Sequence, residues 1–334
     1  GRKLPTILGI SLFILGSIAC VFAPNLWFLV IARFVQALGG AAAMTIVRAI
    51  VRDLFSGEEM ARTMSAVMSI FMIAPILAPS IGALILQFGQ WQWIFVALSI
   101  FGIFAALNFT RMPETLPQEL RQKNGFKTVM AAYGAIIRNA EFRFAVMQSA
   151  SASLLLFAYV SLIPSVLMVQ FGASPAQFGL FFGVNALSLV AGAQINRRIL
   201  KKIKTHVALR RFVLFQAAMA VLLFAVAHTI PVLWLILPML MLTIGANTSI
   251  GGNSATLAMA PFQGSAAQAS ALVGVVQSIA AATSAAIVAF LPGQPLDKMT
   301  TTILAVTVLT TGVLWLRERR LKRDRKSTRL NSSH

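Results

Sequence analysis

Apolar runs of roughly 18–25 residues recur ten times along the chain, separated by polar connections. Each is long enough to cross about 30 Å of hydrocarbon at a rise of about 1.5 Å per residue. They fall near 4–22, 26–48, 62–86, 92–110, 144–169, 175–196, 208–228, 231–256, 268–291 and 299–316. Four windows, 63–110, 144–196, 212–296 and 299–316, hold no Asp, Glu, Lys or Arg, and Arg33 is the only such residue within 4–47. A single span surrounded by lipid must satisfy its backbone groups internally, so helix is expected for all ten. The predicted fold class is all-α, a polytopic membrane helix bundle.

The connections alternate in charge. Those at 23–25, 87–91, 170–174, 229–230 and 292–298 carry one charge pair, Asp297 and Lys298. The other set holds Arg2 and Lys3; Arg48, Arg52 and Arg62; the cations between Arg111 and Arg143; those between Arg197 and Arg211; and the tail from Arg317. Only the uncharged 257–267 connection departs from this alternation. Such asymmetry predicts a cytoplasmic basic side, with both ends of the chain facing it. It also accounts for the net charge of +19 without nucleic acid. Hydrophobic residues make up 58% of the chain and charged residues 11%, against about 25% charged in soluble domains. The lone Cys20 excludes an intrachain disulfide framework and reads as a small packing residue.

The longest polar connection divides the chain into 1–112, a linker at 113–143, a six-span half at 144–316 and a basic tail at 317–334. Four spans precede the linker and six follow it. Transporters are commonly built from matched repeats, so two helices are expected to be missing from the first half. The final RKSTRLNSSH fits no span and reads as a native tail or a translated sequencing-adapter run; no function is assigned to it.

Arg33 stands about two turns inside the run 26–55. A charge at that depth costs roughly 2.5–3.5 kcal/mol on insertion scales, so it needs a polar destination. At 100° per residue, Arg33, Gln36, Ala37, Gly40 and Met44 share a face of cation, amide and small residues. This predicts a helix whose inner face lines a cavity and whose opposite face meets lipid.

Several motifs carry a resemblance. RFVQALGGAAAM with the following RAIVRDLF resembles the fourth-helix motif of the major facilitator superfamily, more closely its bicyclomycin-resistance (Bcr/CflA) drug-efflux branch. IAPILAPSIGALI is similar to that branch's fifth-helix antiporter motif, the opening GRK to the loop between helices two and three, and PETL to the end of helix six. These matches cover residues 1–116, while the second half matches mainly in helix spacing. The resemblance implies a major-facilitator-type bundle with ten of twelve helices present. It also implies proton/drug antiport by alternating access, in a bacterial inner membrane, by a monomer without cofactor or metal.

On that resemblance Arg33 is the proton-coupling arginine, acting on a nearby carboxylate; the alternative is that it only bonds backbone carbonyls of a neighbouring helix. Gln36 either orients it or bonds across a helix seam. Pro75, Pro79 and Gly82 form the antiporter stripe that closes the cytoplasmic route, or simply a kink. Ala74 and Ala78 stand where the general superfamily motif favours glycine. Arg2 and Asp53 form a cytoplasmic gate pair or a solvated charge cluster.

In the second half, Gln148, Tyr159, Asn185, Asn247 and Gln277 lie within uncharged spans. With Met44 they are the candidate substrate cavity, each also readable as a seam contact. Tyr159 and Asn247 are the strongest cavity candidates. Trp91 and Trp93 are expected to anchor at the headgroup level, and His228 has no assigned role. Walker, HExxH and intramembrane acidic-pair signatures are absent from the sequence, which argues against an embedded enzyme. No carboxylate lies inside the ten spans, so the proton carrier is expected in the missing first helix, where the branch carries an acid. The expected partners are small amphipathic drug-like substrates, protons and the bilayer. The alternatives are transport of a specific sugar or amino-acid derivative and, from another class, a non-transporting scaffold or enzyme.

Overall fold

The computed structural model describes residues 2–55, 57–115, 126–262 and 265–331, and the chain separates into two compact units, Gly1–Asn124 and Gly125–His334. Among the described residues every regular element is helical. The first unit holds α1 (Lys3–Val21), α2 (Leu26–Leu54), α3 (Gly57–Phe88) and α4 (Gln92–Thr110). The second holds α5 (Phe126–Arg138), α6 (Ala140–Pro164), α7 (Pro175–Leu200), α8 (Thr205–Thr229), α9 (Leu233–Met259), α10 (Ala266–Phe290) and α11 (Pro295–Asn331). Among the described residues, nine of these helices, α1, α2, α4 and α6 to α11, are long and apolar enough to cross a membrane. The protein is a multi-pass membrane protein. The expected span at 62–86 falls inside α3, which is one unbroken helix of 32 residues.

Helix boundaries follow local chemistry. Asn25 and Asn139 cap α2 and α6 by accepting from the Phe28 and Phe142 amides at 2.9 and 3.0 Å. Ser174, Pro175 and Gln177 start α7 with a reciprocal capping box and proline in the first turn. Beyond Pro164, α6 widens into a π-helical turn, Ser165–Gln170. Gly172 then reverses the chain at φ 66°, a left-handed conformation that favours glycine. The Gln170 side chain accepts from the Leu296 amide at 2.9 Å, fastening the start of α11 to this turn.

Two helices depart from the sequence expectation. The linker at 113–143 contains the 13-residue α5, whose Ile136 is buried against Phe142 and the rest of the second unit. The last helix continues through the basic tail to Asn331. Residues 317–331 are rich in Arg, Lys and Leu and lack Pro and Gly, so nothing local stops the helix there.

In the first unit α1 packs chiefly on α2 and α4. Glycines set the spacing. A Cβ at Gly16 would stand 2.5 Å from the Gln36 backbone nitrogen, and one at Gly39 would stand 2.4 Å from the Gly9 carbonyl oxygen. The stripe of α2 buried against α1 runs through Ala32, Gln36 and Gly39, and Arg33 and Ala37 beside it are exposed within this unit. Van der Waals contact between small residues brings these backbones together without an aqueous driving force.

The second unit has two apolar clusters. One joins Leu155, Tyr159 and Ile163 to Leu223, Ile236, Leu240 and Met299. The other joins Phe142, Val146 and Ala152 to Leu209, Val213, Ile250 and Leu314. Between them along the helices lies a belt of amides and hydroxyls. The α7–α9 seam is held by Gly192, where an added Cβ would stand 2.1 Å from the Gly245 carbonyl oxygen, and by a reciprocal amide pair. In that pair Asn196 donates to Asn253 at 3.0 Å and Asn253 donates back at 2.9 Å.

Candidate functional site

Arg33 does not stand alone on α2. Its guanidinium donates to Gln36 Oε1 at 2.6 Å and lies 5.4 Å from the centroid of the Phe95 ring on α4. Gln36, almost fully buried, donates through Nε2 to Ser17 Oγ on α1 at 2.7 Å. The Ser17 hydroxyl donates in turn to the Phe13 carbonyl at 2.7 Å. Each member of this relay has its direction dictated by the next, because an arginine can only donate. Gln36 must present its carbonyl to Arg33 and its amide to Ser17. The guanidinium itself is exposed, held by one edge with a ring beside it. A permanent cation placed this way can meet a carboxylate or a ligand acceptor without first breaking its support.

At the basic end of the first unit, Arg2 Nε lies 2.9 Å from Asp53 Oδ2 at the end of α2. Glu114, beyond α4, accepts from the backbone amides of Arg2 and Lys3 at 2.6 and 3.3 Å. It thereby places a negative charge on the positive end of α1. Lys3 Nζ completes the corner by donating to the Thr110 carbonyl at 2.9 Å. The opening GRK and the PETL segment thus meet in space, with Asp53 from the α2 motif beside them.

In the second unit the belt is made of neutral groups. Asn247 donates to the Ala152 carbonyl at 2.9 Å and accepts from Gln216 at 3.2 Å. Gln148 donates to the Thr310 carbonyl at 2.9 Å, and Gln277 to Ser149 Oγ at 2.5 Å. Tyr159 stacks on Phe182 with ring centroids 6.3 Å apart and planes 11° from parallel. Three polar atoms here, Gln148 Oε1, Tyr159 Oη and Asn185 Oδ1, are buried without a hydrogen-bond partner among the described residues. An unsatisfied buried group costs about 1–3 kcal/mol, so these atoms are available to a polar partner.

A family model described as Major Facilitator Superfamily matches residues 1–285. The chain belongs to this superfamily. Similarity to individual members differs in reach. An uncharacterized MFS-type transporter of Bacillus subtilis, YdgK, is 36% identical over 198 residues, which are 58% of this chain and 49% of that protein. A bicyclomycin resistance protein homolog of Haemophilus influenzae is 28% identical over 327 residues, 96% of this chain and 81% of that protein. The multidrug resistance protein MdtL of Salmonella is 29% identical over 187 residues, 47% of its length. The chain therefore spans about half of two of these relatives and four-fifths of the third. Among solved structures, a bacterial homolog of the human lysosomal transporter Spinster superposes with TM-score 0.69 at 15% identity, covering 97% of this chain and 84% of that one. The major facilitator FucP in its outward conformation gives 0.62 at 15% identity, covering 95% and 83%. These superpositions show the fold that this chain shares with both.

Within this superfamily member, the structure distributes the sequence-predicted residues unevenly. Arg33 and Gln36 are joined directly, as are Arg2 and Asp53. Asn247 is engaged on both sides by a helix seam, and Gln277 also bridges two helices. Gln148, Tyr159 and Asn185 each keep a buried unpartnered atom. The side chains of Met44, Pro75 and Pro79 lie outside the described residues. A Cβ at Gly82 would meet nothing within 4 Å among the described residues. Ser17 and Glu114 were not singled out from sequence. Glu114 was visible only as part of PETL, and nothing in an apolar run marks Ser17 as the partner of a residue 19 positions away.

Proposed function

We propose that the whole protein is a secondary active exporter of small amphipathic drug-like compounds, exchanging them for protons by alternating access. The observation that carries this reading is the Arg33–Gln36–Ser17–Phe13 relay. It holds one exposed cation inside an otherwise uncharged stretch and supports it from behind. The Haemophilus and Salmonella relatives, a bicyclomycin resistance protein homolog and a multidrug resistance protein, support the substrate class. In this reading the second unit supplies neutral recognition. Tyr159, Gln148 and Asn185 offer a ring, a hydroxyl and two amide oxygens, which suit compounds with few charges. No Asp or Glu lies in the ten apolar runs, so the reading requires a proton-binding carboxylate elsewhere in the whole protein. The Arg2–Asp53–Glu114 corner would be a cytoplasmic latch, the Pro75–Pro79–Gly82 stripe a closing element, and the protein a monomer of the bacterial inner membrane with its basic side cytoplasmic.

Reconstitution of the full-length gene product in proteoliposomes tests the proposal. Drug movement should follow an imposed pH gradient, and Arg33→Ala should abolish the dependence while leaving the protein folded. Efflux indifferent to the gradient in the unmodified protein would refute proton exchange.

A further inference from the structure

A groove runs between α8 and α11 on the second unit, with a volume of about 380 Å³. Ala217 and Val221 form one wall, and Leu304, Val308, Gly312 and Trp315 the other. Two threonines also border it, but the hydroxyls of Thr307 and Thr311 turn back onto the carbonyls of Ile303 and Thr307, at 2.6 and 2.8 Å. The surface offered is therefore hydrocarbon. From Leu304 to Trp315 the groove extends about 16 Å along α11, close to one leaflet's half of a ~30 Å hydrocarbon core.

One end of the groove is different. Trp315, half exposed, carries the Arg319 guanidinium 3.4 Å from its ring centroid. Arg210 lies two turns before Ala217 on the same stripe of α8, and its Nε is 3.2 Å from Glu318 of α11. Arg211 is exposed beside it, and Lys201, Lys202 and Lys204 are exposed in the connection that leads into α8. An indole ring sits naturally at headgroup depth, and basic clusters at that depth attract anionic headgroups.

We propose that the α8–α11 groove binds one phospholipid with an anionic headgroup. Its acyl chain lies along Ala217, Val308 and Gly312, and its phosphate sits against Arg319 and Arg210 over the Trp315 ring. A second copy of the chain fits less well, because an isologous contact through this face would bring like-charged arginines together. The site is independent of the transport reading, since it lies within one unit and uses none of the belt residues.

Native mass spectrometry of the full chain in detergent, titrated with phosphatidylglycerol or phosphatidylcholine of identical chains, tests this. The unmodified protein should retain one phosphatidylglycerol in preference to phosphatidylcholine. Arg210→Gln and Arg319→Gln should each weaken phosphatidylglycerol about five-fold and phosphatidylcholine, whose choline cation offsets its phosphate, by less. Gly312→Leu should fill the groove and weaken both lipids. Fluorescence supplies a second readout should Gly312→Leu fail to fold: chain-brominated phosphatidylglycerol should quench the protein's tryptophan emission, and Trp315→Phe should remove that component. Equal retention of the two lipids, a preference that survives both arginine substitutions, quenching unchanged in Trp315→Phe, or dimers without lipid adducts would each overturn the proposal.

Discussion

The two units join their helices by the same small-residue logic and then use polarity in opposite ways. In the first, backbone contact at Gly16 and Gly39 brings α1 against α2, and one directional relay runs from Phe13 to a cation. In the second, contact at Gly192 brings α7 against α9, while neutral amides are spread through five helices, α6, α7, α8, α9 and α10. The first arrangement concentrates a response to charge at one point. The second supplies cohesion and neutral hydrogen-bonding capacity. In the proposed function, charge coupling and neutral recognition fall in different halves of the sequence.

The largest expected effect attacks what the units share. Gly39→Ala and Gly192→Ala each push a methyl into rigid backbone and should destabilise the solubilised protein by about 3 kcal/mol or fail to express. Gly40→Ala and Gly251→Ala, whose added atoms would meet side chains at 3.7 and 3.6 Å, should melt close to the unmodified protein. Equal losses at all four positions would show that the close seam contacts do not govern them, since helix propensity alone favours alanine.

A middle-sized effect separates the units. Gln36→Leu strands both Arg33 and Ser17, and Gln216→Leu strands the Asn247 carbonyl. Each should cost about 1–3 kcal/mol in thermal denaturation. Only Gln36→Leu should uncouple drug movement from the pH gradient. Loss of gradient dependence in Gln216→Leu would break the division of labour between the halves.

The smallest effect is at the basic corner. Arg2→Gln removes a partly exposed ion pair and should lower stability by no more than about 1 kcal/mol, with the difference shrinking as salt is raised. A loss well above that range would mean the Arg2–Asp53–Glu114 corner acts as one structural unit.

The spans were legible because lipid demands long apolar runs, and the hydropathy pattern carries that demand directly. The helix α5 was overlooked because cations flank it, although Met130, Tyr133 and Ile136 recur at helical spacing. Arg33 and Gln36 could be paired from their separation on one helix. The stripe of α2 that packs on α1 could not be read that way, since Gln36 and Gly39 are buried only once Gly16 and Gly9 of another helix are opposite them. Asn247 shows the same limit. Periodicity placed it in a span interior, but whether it meets Gln216 and Ala152 or an open chamber depends on neighbours 31 and 95 positions away.

The reciprocal Asn196–Asn253 clasp has a mechanical consequence. Each amide gives and receives once, so the clasp carries no net charge and gains or loses no proton at physiological acidity. Neither membrane voltage nor a proton gradient can loosen it. Whatever rocking the second unit undergoes, α7 and α9 should travel as a single rigid body.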